Sequence, residues 1–301
     1  MLVAVKIGVP AILVLLVAAY ILISFIIASS VTKADRKEQE DHPSAYGLAF
    51  EDVEFVSRRG DVTLRGWYIS GQEEKPTLIF IHGNGSVRSG DRAVDLASRL
   101  AGNGFNILMF DLRGHGSSGG DKVSGGYFEQ WDVLGAFDFL AARRAPPEQI
   151  GLVGFSMGAA TAILAAAQEP GIGALVADSP YAKASDLIAH EAARQTVFPR
   201  WLTPIFVPTA VLMADRFYGI DLGSLVPETA VAGLPYPILV IHGTDDSRIP
   251  YQHGQRVQQG APAGSSIWLA PDVEHVDAFL TYPEEYVERV KAYLDDRFGP
   301  R

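Results

Sequence analysis

No cysteine occurs among the 301 residues of the sequence. The chain therefore cannot form a disulfide, a thiolate nucleophile or a cysteine-based metal site, and its chemistry must come from oxygen, nitrogen or carboxylate groups. Clusters of lysine and arginine are also missing, and the formal net charge at pH 7 is -10. Because a nucleic-acid-binding surface needs clustered cations, we expect no nucleic-acid partner.

Charge is absent from one long stretch near the amino terminus, residues 7–29, IGVPAILVLLVAAYILISFIIAS. As a helix with a rise of about 1.5 Å per residue, this stretch spans roughly 35 Å, enough for a hydrocarbon core of about 30 Å. We therefore predict a transmembrane anchor over residues 1–31. The alternative is a cleaved signal peptide, since residues 28–30 are small, but the apolar part of a secretory signal usually runs only about 7 to 15 residues.

A mixed-charge segment, KADRKEQEDHPSA at residues 33–45, follows the apolar stretch. Its composition predicts a solvated tether, which we place at residues 32–49, before a catalytic domain at residues 50–301. Lys33, Arg36 and Lys37 flank the carboxyl side of the predicted anchor, whereas Lys6 flanks the other side. This excess of cations favours a membrane protein whose C-terminal domain lies on the cytoplasmic side.

Apolar residues make up 48% of the sequence, which is long enough for one large α/β domain with a substantial core. Alternating apolar positions in residues 51–70, on either side of an Arg-Gly-Asp turn, predict an antiparallel hairpin. Short continuous apolar runs then predict strands that are buried on both faces, as in a parallel sheet. These runs are residues 76–82, 105–111, 150–154, 173–178, 237–242 and 265–270. Helical patterns fall between them, at residues 87–102, 127–142, 157–168, 251–260 and 283–297. The alternation predicts an α/β fold, a mostly parallel sheet of about eight strands with helices on both faces.

One connection in this pattern is too long for a simple crossover. Close to 60 residues separate Asp178 from Pro237, and residues 197–219 are apolar and aromatic but interrupted by prolines that limit helix length. We interpret residues 181–235 as a helical cap insertion over a site, with ordinary packing against the sheet as the alternative. The large apolar side chains of this segment are Phe198, Trp201, Ile205, Phe206, Met213 and Phe217.

The motif GFSMG, residues 154–158, stands between a predicted buried strand and a helix of small residues. In that context a G-x-S-x-G motif predicts a nucleophile elbow, with Ser156 on a tight strand-to-helix turn. The free N–H groups at the start of the helix can stabilise a developing oxyanion. An earlier strand ends in IHGNGS, residues 81–86, which predicts that the N–H of Asn84 joins that of Met157 in the oxyanion hole. His82, at the end of that strand, is interpreted as structural.

A serine nucleophile needs a base, which we predict to be His275. This residue follows the final predicted strand, at the same sheet edge as Ser156, and lies C-terminal to a plausible acid. The other histidines lie in the tether, in the cap, in a glycine-rich loop, at the ends of strands or in a helix; they are His42, His82, His115, His190, His242 and His253.

The acid that orients His275 has several candidates at strand ends, namely Asp111, Asp178, Asp245 and Asp246. Asp111 precedes the nucleophile and is expected to fix its own loop by pairing with Arg113 or with backbone amides. Asp178 follows the strand after Ser156, where some enzymes of this architecture carry their acid. The residues alone leave the choice open.

Five motifs in order resemble those of the α/β-hydrolase superfamily, and more specifically those of membrane-anchored serine hydrolases related to the prolyl-oligopeptidase branch. The resemblance covers about residues 50–298 and implies the α/β-hydrolase fold. It also implies that Asp246 is the acid, because the family pattern H-G-x-x-D-x-x-[IV]-P places Asp246 on the acid position and Asp245 on a variable one. Glu274 departs from the family pattern, which often has a small residue before the histidine. The motifs are HGNGS (82–86), DLRGHGS (111–117), GFSMG (154–158), HGTDDSRIP (242–250) and the Glu274-His275 pair.

The expected function is that of a membrane-anchored serine hydrolase, with the catalytic triad Ser156, Asp246 and His275 and an oxyanion hole formed by Met157 and Asn84. The apolar cap beside a membrane anchor suggests an acyl, lipid-like substrate that is a carboxylic ester or thioester. No metal or cofactor is implied. The alternatives are a peptidase or amidase with the same triad, and a non-catalytic, membrane-tethered binding protein that kept the fold.

Overall fold

A central sheet of eight strands organises the protein in a computed structural model, which describes residues 2–34, 36–72, 75–195, 199 and 201–299. The strand order is β1-β2-β4-β3-β5-β6-β7-β8. The hairpin of β1 and β2 pairs antiparallel with the rest, and β3 to β8 are mutually parallel. The predicted α/β-hydrolase fold is thus confirmed. The strands are β1 (Phe50–Val56), β2 (Thr63–Ile69), β3 (Thr77–Ile81), β4 (Asn106–Phe110), β5 (Ile150–Phe155), β6 (Ala174–Asp178), β7 (Leu239–Gly243) and β8 (Ser266–Ala270).

Helices cover both faces of this sheet. Successive side chains of a strand point to opposite faces, so Ile79 and Ile81 of β3 pack in one core cluster while Leu78 and Phe80 pack in the other. Helices α3, α4 and α8 cover the first face, and α2, α9 and α10 cover the second. The α-helices are α1 (Leu2–Val31), α2 (Ala93–Gly102), α3 (Glu129–Ala142), α4 (Met157–Ala166), α5 (Ala184–Gln195), α6 (Val207–Tyr218), α7 (Pro227–Ala230), α8 (Gln252–Gly260), α9 (Ala278–Thr281) and α10 (Pro283–Phe298).

The helix predicted at residues 87–102 begins only at Ala93, so the first part of that prediction is wrong. Residues 83–92 form a loop instead, and its turns bring Asp91 and Arg92 into left-handed backbone conformations, with φ of 55° and 56°. The loop is held from outside, because the N–H of Arg88 donates to the carboxylate of Asp111 at 2.9 Å. Tertiary contacts have therefore overridden a helical pattern in the sequence.

Helix α1 is the one helix of the described residues that is long and apolar enough to cross a membrane, with a mean hydropathy of 3.0 over Pro10–Ser30. Most of its described side chains are exposed, but its carboxyl-terminal part packs on the cap. Ser24, Ile27 and Ala28 are buried there. The helix is thus mostly exposed from Pro10 to Ile23 and packed against protein near its end.

The insertion between β6 and β7 is helical in its described residues. It contains α5, α6 and α7, with 3-10 turns at Thr203–Ile205, Leu222–Ser224 and Val231–Gly233. Pro208 lies in the first turn of α6, where a missing N–H is tolerated. Phe198, one of the apolar residues of the predicted cap, lies outside the described residues.

The segment predicted as a tether is exposed over most of its described length but is held against the domain. The guanidinium of Arg36 donates to the carbonyl oxygens of Gly116 at 2.9 Å, Ser118 at 2.6 Å and Gly120 at 2.5 Å. The side chain of Gln39 donates to the Asp111 carboxylate at 3.1 Å. These contacts fix the segment to the glycine-rich loop after β4.

Candidate active site

Ser156 occupies the turn between β5 and α4, with φ of 55° and ψ of -121°. Such a backbone conformation is costly for a residue other than glycine and is typical of functional sites. The flanking glycines permit it, because a Cβ added to Gly158 would lie 2.1 Å from the carbonyl oxygen of Ile81, and one added to Gly154 would lie 2.6 Å from the Cα of Ala159. The turn therefore projects the serine from the sheet edge at the carboxyl ends of the parallel strands.

The structure places the three predicted catalytic side chains in one hydrogen-bonded line. Nε2 of His275 lies 2.8 Å from Oγ of Ser156, and Nδ1 of His275 lies 2.7 Å from Oδ2 of Asp246. Asp246 follows β7 and His275 follows β8, and both strands run parallel to β5, so the three loops meet at the same edge. With Nδ1–H donating to the carboxylate, Nε2 is free to accept the serine proton.

Asp246 is buried, and both of its carboxylate oxygens have polar partners. Oδ1 accepts from the N–H groups of Arg248 at 2.9 Å and Ile249 at 2.7 Å. Oδ2 lies 2.7 Å from His275 and 3.2 Å from Nε2 of His242. Burial alone would raise the pKa of Asp246, but the hydrogen bonds from His242 and His275 outweigh it and hold the pKa well below its usual range. The carboxylate is therefore ionised at neutral pH.

The other acid candidates at this edge are engaged elsewhere. Asp245 is exposed, and its N–H donates to the carbonyl oxygen of Val273. Asp178 is buried and accepts hydrogen bonds from Ser179 at 2.9 Å and from the hydroxyl of Tyr286 at 3.0 Å. Burial raises the pKa of Asp178 to about 6. Among the described residues, the hydrogen bonds of the Asp178 carboxylate do not include His275.

The expected pairing of Asp111 with Arg113 is wrong, although the expected bonds to backbone amides are present. Asp111 pairs with Arg88 at 3.2 Å, whereas Arg113 pairs with Asp132 at 2.7 Å. Arg113 also reaches Asp61 on the β1–β2 turn at 3.1 Å. Asp111 thus connects the glycine-rich loop to the loop after β3, and Arg113 connects it to α3 and to the β1–β2 turn.

The two predicted oxyanion donors, Met157 and Asn84, line the same cavity as Ser156. Within the described part of the chain, neither N–H has a hydrogen-bond acceptor. The loop that carries Asn84 approaches the nucleophile closely, since a Cβ added to Gly83 would lie 3.1 Å from that of Ser156. Two free backbone donors next to a serine hydroxyl suit the charge that develops on a carbonyl oxygen under attack.

Two buried histidines fix this oxyanion loop. Nε2 of His82 accepts from the N–H of Leu112 at 3.0 Å, and Nε2 of His115 accepts from the N–H of Gly85 at 3.3 Å. Burial lowers the pKa of His82 to about 3 and also lowers the pKa of His115. Both imidazoles are therefore neutral and act as acceptors, as the structural interpretation of His82 predicts.

A cavity of about 120 Å³ adjoins Ser156. Its wall combines the elbow, the oxyanion loop, the cap and the end of the apolar amino-terminal helix. Arg248 is the one charged side chain of this wall among the described residues, and the rest is mostly apolar. The lining residues are Thr32, Asn84, Ser124, Gly125, Ser156, Met157, Tyr181, Ala184, Leu187, Ile188, Leu222, Arg248 and Ile249.

Three residues of the site escaped the sequence reasoning. His242 contacts the acid directly, and its signal was the same His-Gly pair that marks the oxyanion loop. Arg248 lies two residues after the acid and lines the cavity. Thr32 gave no signal, because it precedes the predicted catalytic domain. Glu274 is turned to the neighbouring loop, where it accepts hydrogen bonds from the N–H and hydroxyl of Ser247 at 3.1 and 3.0 Å.

The sheet, the elbow and the loops at one sheet edge define a hydrolase of the α/β class. The model of the alpha/beta hydrolase fold family matches residues 76–232, just over half of the sequence. The chain belongs to this family.

Two curated relatives and one solved structure show how far the likeness extends. The uncharacterized protein YfhR of Escherichia coli O157:H7 is 30% identical over 259 residues, which cover 83% of this chain and 82% of YfhR. The uncharacterized protein YqkD of Bacillus subtilis is 27% identical over 84% of this chain and 78% of its own length. The esterase Pf2001 of Pyrococcus furiosus superposes with a TM-score of 0.73 at 26% identity, covering 89% of this chain and 99% of the esterase. The likeness thus extends well beyond the matched family segment.

Proposed function

We propose that the protein is a membrane-anchored serine hydrolase that cleaves carboxylic esters or thioesters through an acyl-enzyme. The observation that carries this proposal is the line of contacts from Ser156 to His275 at 2.8 Å and from His275 to Asp246 at 2.7 Å, at the wall of an apolar cavity. Such a line is the arrangement that activates a serine hydroxyl.

The proposed reaction has two halves with one proton shuttle. In the first, Oγ of Ser156 attacks the carbonyl carbon while Nε2 of His275 takes its proton, and the N–H groups of Met157 and Asn84 stabilise the tetrahedral oxyanion. His275 then gives the proton to the leaving oxygen or sulfur, and the acyl group stays on the serine. In the second half, water gives a proton to His275 and attacks the carbonyl carbon of the ester; His275 then returns the proton to Oγ of Ser156 as the acid leaves. Asp246 holds the imidazole and stabilises its cation throughout.

The substrate class rests on the lining of the cavity and on one solved structure. An apolar wall from the cap favours an acyl chain over a charged group. The structural similarity to an esterase supports an ester rather than a peptide bond. The motif HGTDDSRIP, with Asp246 on its acid position, supports a finer placement near the prolyl-oligopeptidase branch.

An uncleaved anchor fits the packing of α1 better than a signal peptide does. Ile27 and Ala28 are buried against the cap, and Thr32 lines the cavity of the nucleophile. Cleavage near residues 28–30 would remove this buried surface from the finished protein. The cations after the helix favour the cytoplasmic side for the catalytic domain.

A fluorophosphonate probe tests the proposed enzyme. We expect the wild-type protein to become covalently labelled at Ser156, and Ser156→Ala to stay unlabelled with an unchanged thermal unfolding curve. An unlabelled wild type with normal unfolding would overturn the proposal and favour a non-catalytic binding protein.

The peptidase or amidase alternative uses the same triad and needs a different comparison. Turnover of short-chain and long-chain p-nitrophenyl esters is measured beside turnover of aminoacyl-nitroanilides. We expect faster cleavage of the esters, and a preference for the anilides would overturn the ester assignment while leaving the triad in place.

A further inference from the structure

Helices α1 and α6 lie side by side and run in the same direction. The hydroxyl of Tyr20 lies 2.7 Å from Oγ1 of Thr209, and nine residues later in both helices Oγ of Ser29 lies 2.7 Å from the hydroxyl of Tyr218. Tyr20 also stacks on Phe206, with ring centroids 5.2 Å apart. Residues 209–218 of the cap therefore lie beside residues 20–29 of α1, at the same positions along the axis of that helix.

The length of α1 alone leaves the position of the membrane surface open. Its 30 residues at about 1.5 Å each span about 45 Å, which exceeds a hydrocarbon core of about 30 Å by roughly 15 Å. Its exposed apolar side chains continue through Ile21, Leu22, Phe25 and Ile26. If the helix left the bilayer at Tyr20, these four side chains would all face water.

The cap continues this apolar surface beside α1. Ile205 is 55% exposed, Leu212 is 64% exposed and Phe217 is 61% exposed. Phe217 packs edge-on against Phe25, with centroids 5.8 Å apart, so the exposed faces of the two helices are contiguous. A helix that faces water normally presents polar side chains on its outer face, and a contiguous apolar surface indicates a partner.

Charged groups mark where this apolar surface ends. Asp215 and Arg216 are exposed in the last turn of α6. Lys33, just beyond α1, forms a backbone bridge with Lys122, and the ammonium of Lys122 lies 5.0 Å from the ring centre of Tyr218. Cations and a tyrosine at one level match the headgroup region of a bilayer, with the apolar residues of α6 below it.

We propose that the amino-terminal part of α6, with the turn before it, lies in the same leaflet as α1, and that the cavity of Ser156 receives the acyl chain of a membrane-resident lipid ester from that leaflet. The inference rests on the anchoring in the proposed function. The length of this part of α6 supports the proposal. Residues 207–215 span about 12 Å, which fits within one leaflet's half of the hydrocarbon core, about 15 Å thick.

The route to the nucleophile follows the same elements. Leu187 and Ile188 of α5 and Leu222 after α6 line the cavity from the cap side, and Thr32 lines it from the end of α1. These segments pack against α1 and α6, the helices that meet the leaflet in this proposal. The proposed route of the acyl chain therefore runs from the leaflet, between these segments, to Ser156.

The absence of cysteine allows a direct measurement of depth. Single-cysteine variants Leu212→Cys, Leu16→Cys and Val56→Cys carry a nitroxide label in phosphatidylcholine nanodiscs, and collisions with oxygen and with a water-soluble nickel complex are compared. Val56 is a matched control, since it is 55% exposed on β1. We expect labels at positions 212 and 16 to favour oxygen and the label at 56 to favour nickel.

The label positions test the leaflet contact of α6 and the membrane anchor separately. A nickel-accessible label at position 212 with an oxygen-accessible label at position 16 would overturn the leaflet contact and leave the anchor intact. Nickel accessibility at both positions would overturn the anchor as well.

A kinetic test addresses the delivery of substrate. Leu212→Asp is expected to lower turnover of a long-chain ester embedded in the nanodisc at least tenfold, with unchanged turnover of water-soluble p-nitrophenyl acetate and unchanged fluorophosphonate labelling. The control Val56→Asp is expected to leave all three rates unchanged. An unchanged long-chain rate in Leu212→Asp, or an equal loss on both esters, would overturn the route through the leaflet.

Discussion

The substitution Asp246→Asn tests the catalytic line most directly, because the structure fixes how an amide must sit there. Oδ1 of Asp246 accepts from two backbone N–H groups, those of Arg248 and Ile249. The carbonyl oxygen of an asparagine must take that position, since its NH₂ group cannot face two donors. The NH₂ group then points at His275 and His242. To accept from it, His275 must move its own proton from Nδ1 to Nε2.

This tautomer cannot accept a proton from Ser156, whose hydroxyl lies 2.8 Å from Nε2. The same exchange of carboxylate for amide lowers kcat about 10⁴-fold in a serine protease of the trypsin type, where it also produces the wrong tautomer. We expect a similar loss here, which corresponds to about 5 kcal/mol of transition-state stabilisation.

The assay measures kcat on p-nitrophenyl esters for wild type, Asp246→Asn and the matched control Asp245→Asn. Asp245 is exposed, so its neutralisation should change stability by less than about 0.5 kcal/mol and the rate by less than about threefold. Thermal unfolding is recorded for each variant to separate rate from folding. A loss below tenfold in Asp246→Asn, or equal losses in both variants, would refute the reasoning and return the role to Asp245 or Asp178.

Three further predictions follow from buried groups around the site. Burial raises the pKa of Asp178 from 3.8 to about 6, so its contribution to stability is full below the unfolded value and is lost as the pH rises through about 6. Asp178→Asn should therefore gain thermal stability over wild type at pH 8 but not at pH 4, with kcat within about tenfold, and a gain that is equal at both pH values would contradict the argument. Gly158→Ala places a Cβ 2.1 Å from the carbonyl oxygen of Ile81 and should destabilise the fold by about 3 kcal/mol, measured by urea unfolding; an unchanged midpoint would argue against the close elbow. His242→Asn removes the imidazole Nε2 that lies 3.2 Å from Oδ2 of Asp246 and 2.8 Å from the carbonyl oxygen of Ile249, and should lower kcat about tenfold, because a hydrogen bond to a charged group contributes about 1.5 kcal/mol; an unchanged kcat would show that the bonds from Arg248, Ile249 and His275 suffice.

The strands and the elbow could be predicted from the sequence because their signals are local. Strands buried on both faces need continuous apolar runs, and the observed strands lie within those runs to within a few residues. Ser156 stands between such a strand and a helix of small residues, and the glycines beside it are required by contacts as close as 2.1 Å. Each of these features depends on residues that are adjacent in the sequence.

The choice between Asp245 and Asp246 could not be made from periodicity, and it needed the family pattern. The structure gives the physical reason for the pattern. The two residues that follow at a distance of two and three donate their N–H groups to Asp246, which turns its carboxylate toward His275. The same turn leaves Asp245 in solvent.

Contacts between distant segments could not be predicted from the sequence. The helical pattern at residues 87–102 includes Arg88, and nothing in that pattern indicates a pairing with Asp111, which lies 23 residues further on. The sequence also gives no sign that Arg36 binds the loop at residues 116–120, because the side chains of a mixed-charge segment can be solvated by water as easily as they can bind a protein surface.

The contacts of residues 32–49 connect the apolar helix α1 with the candidate active site. Gln39 and Arg88 both contact the carboxylate of Asp111. The same carboxylate accepts the N–H of Arg88, within the loop at residues 83–92 that begins beside Ser156. This segment is therefore bonded to the residue that fixes the loop at residues 83–92, and Thr32, its first residue, forms part of the cavity wall. A flexible linker would need neither contact. The segment at residues 32–49 thus joins the apolar helix α1 to the wall of the cavity and to the contacts that fix the loop at residues 83–92.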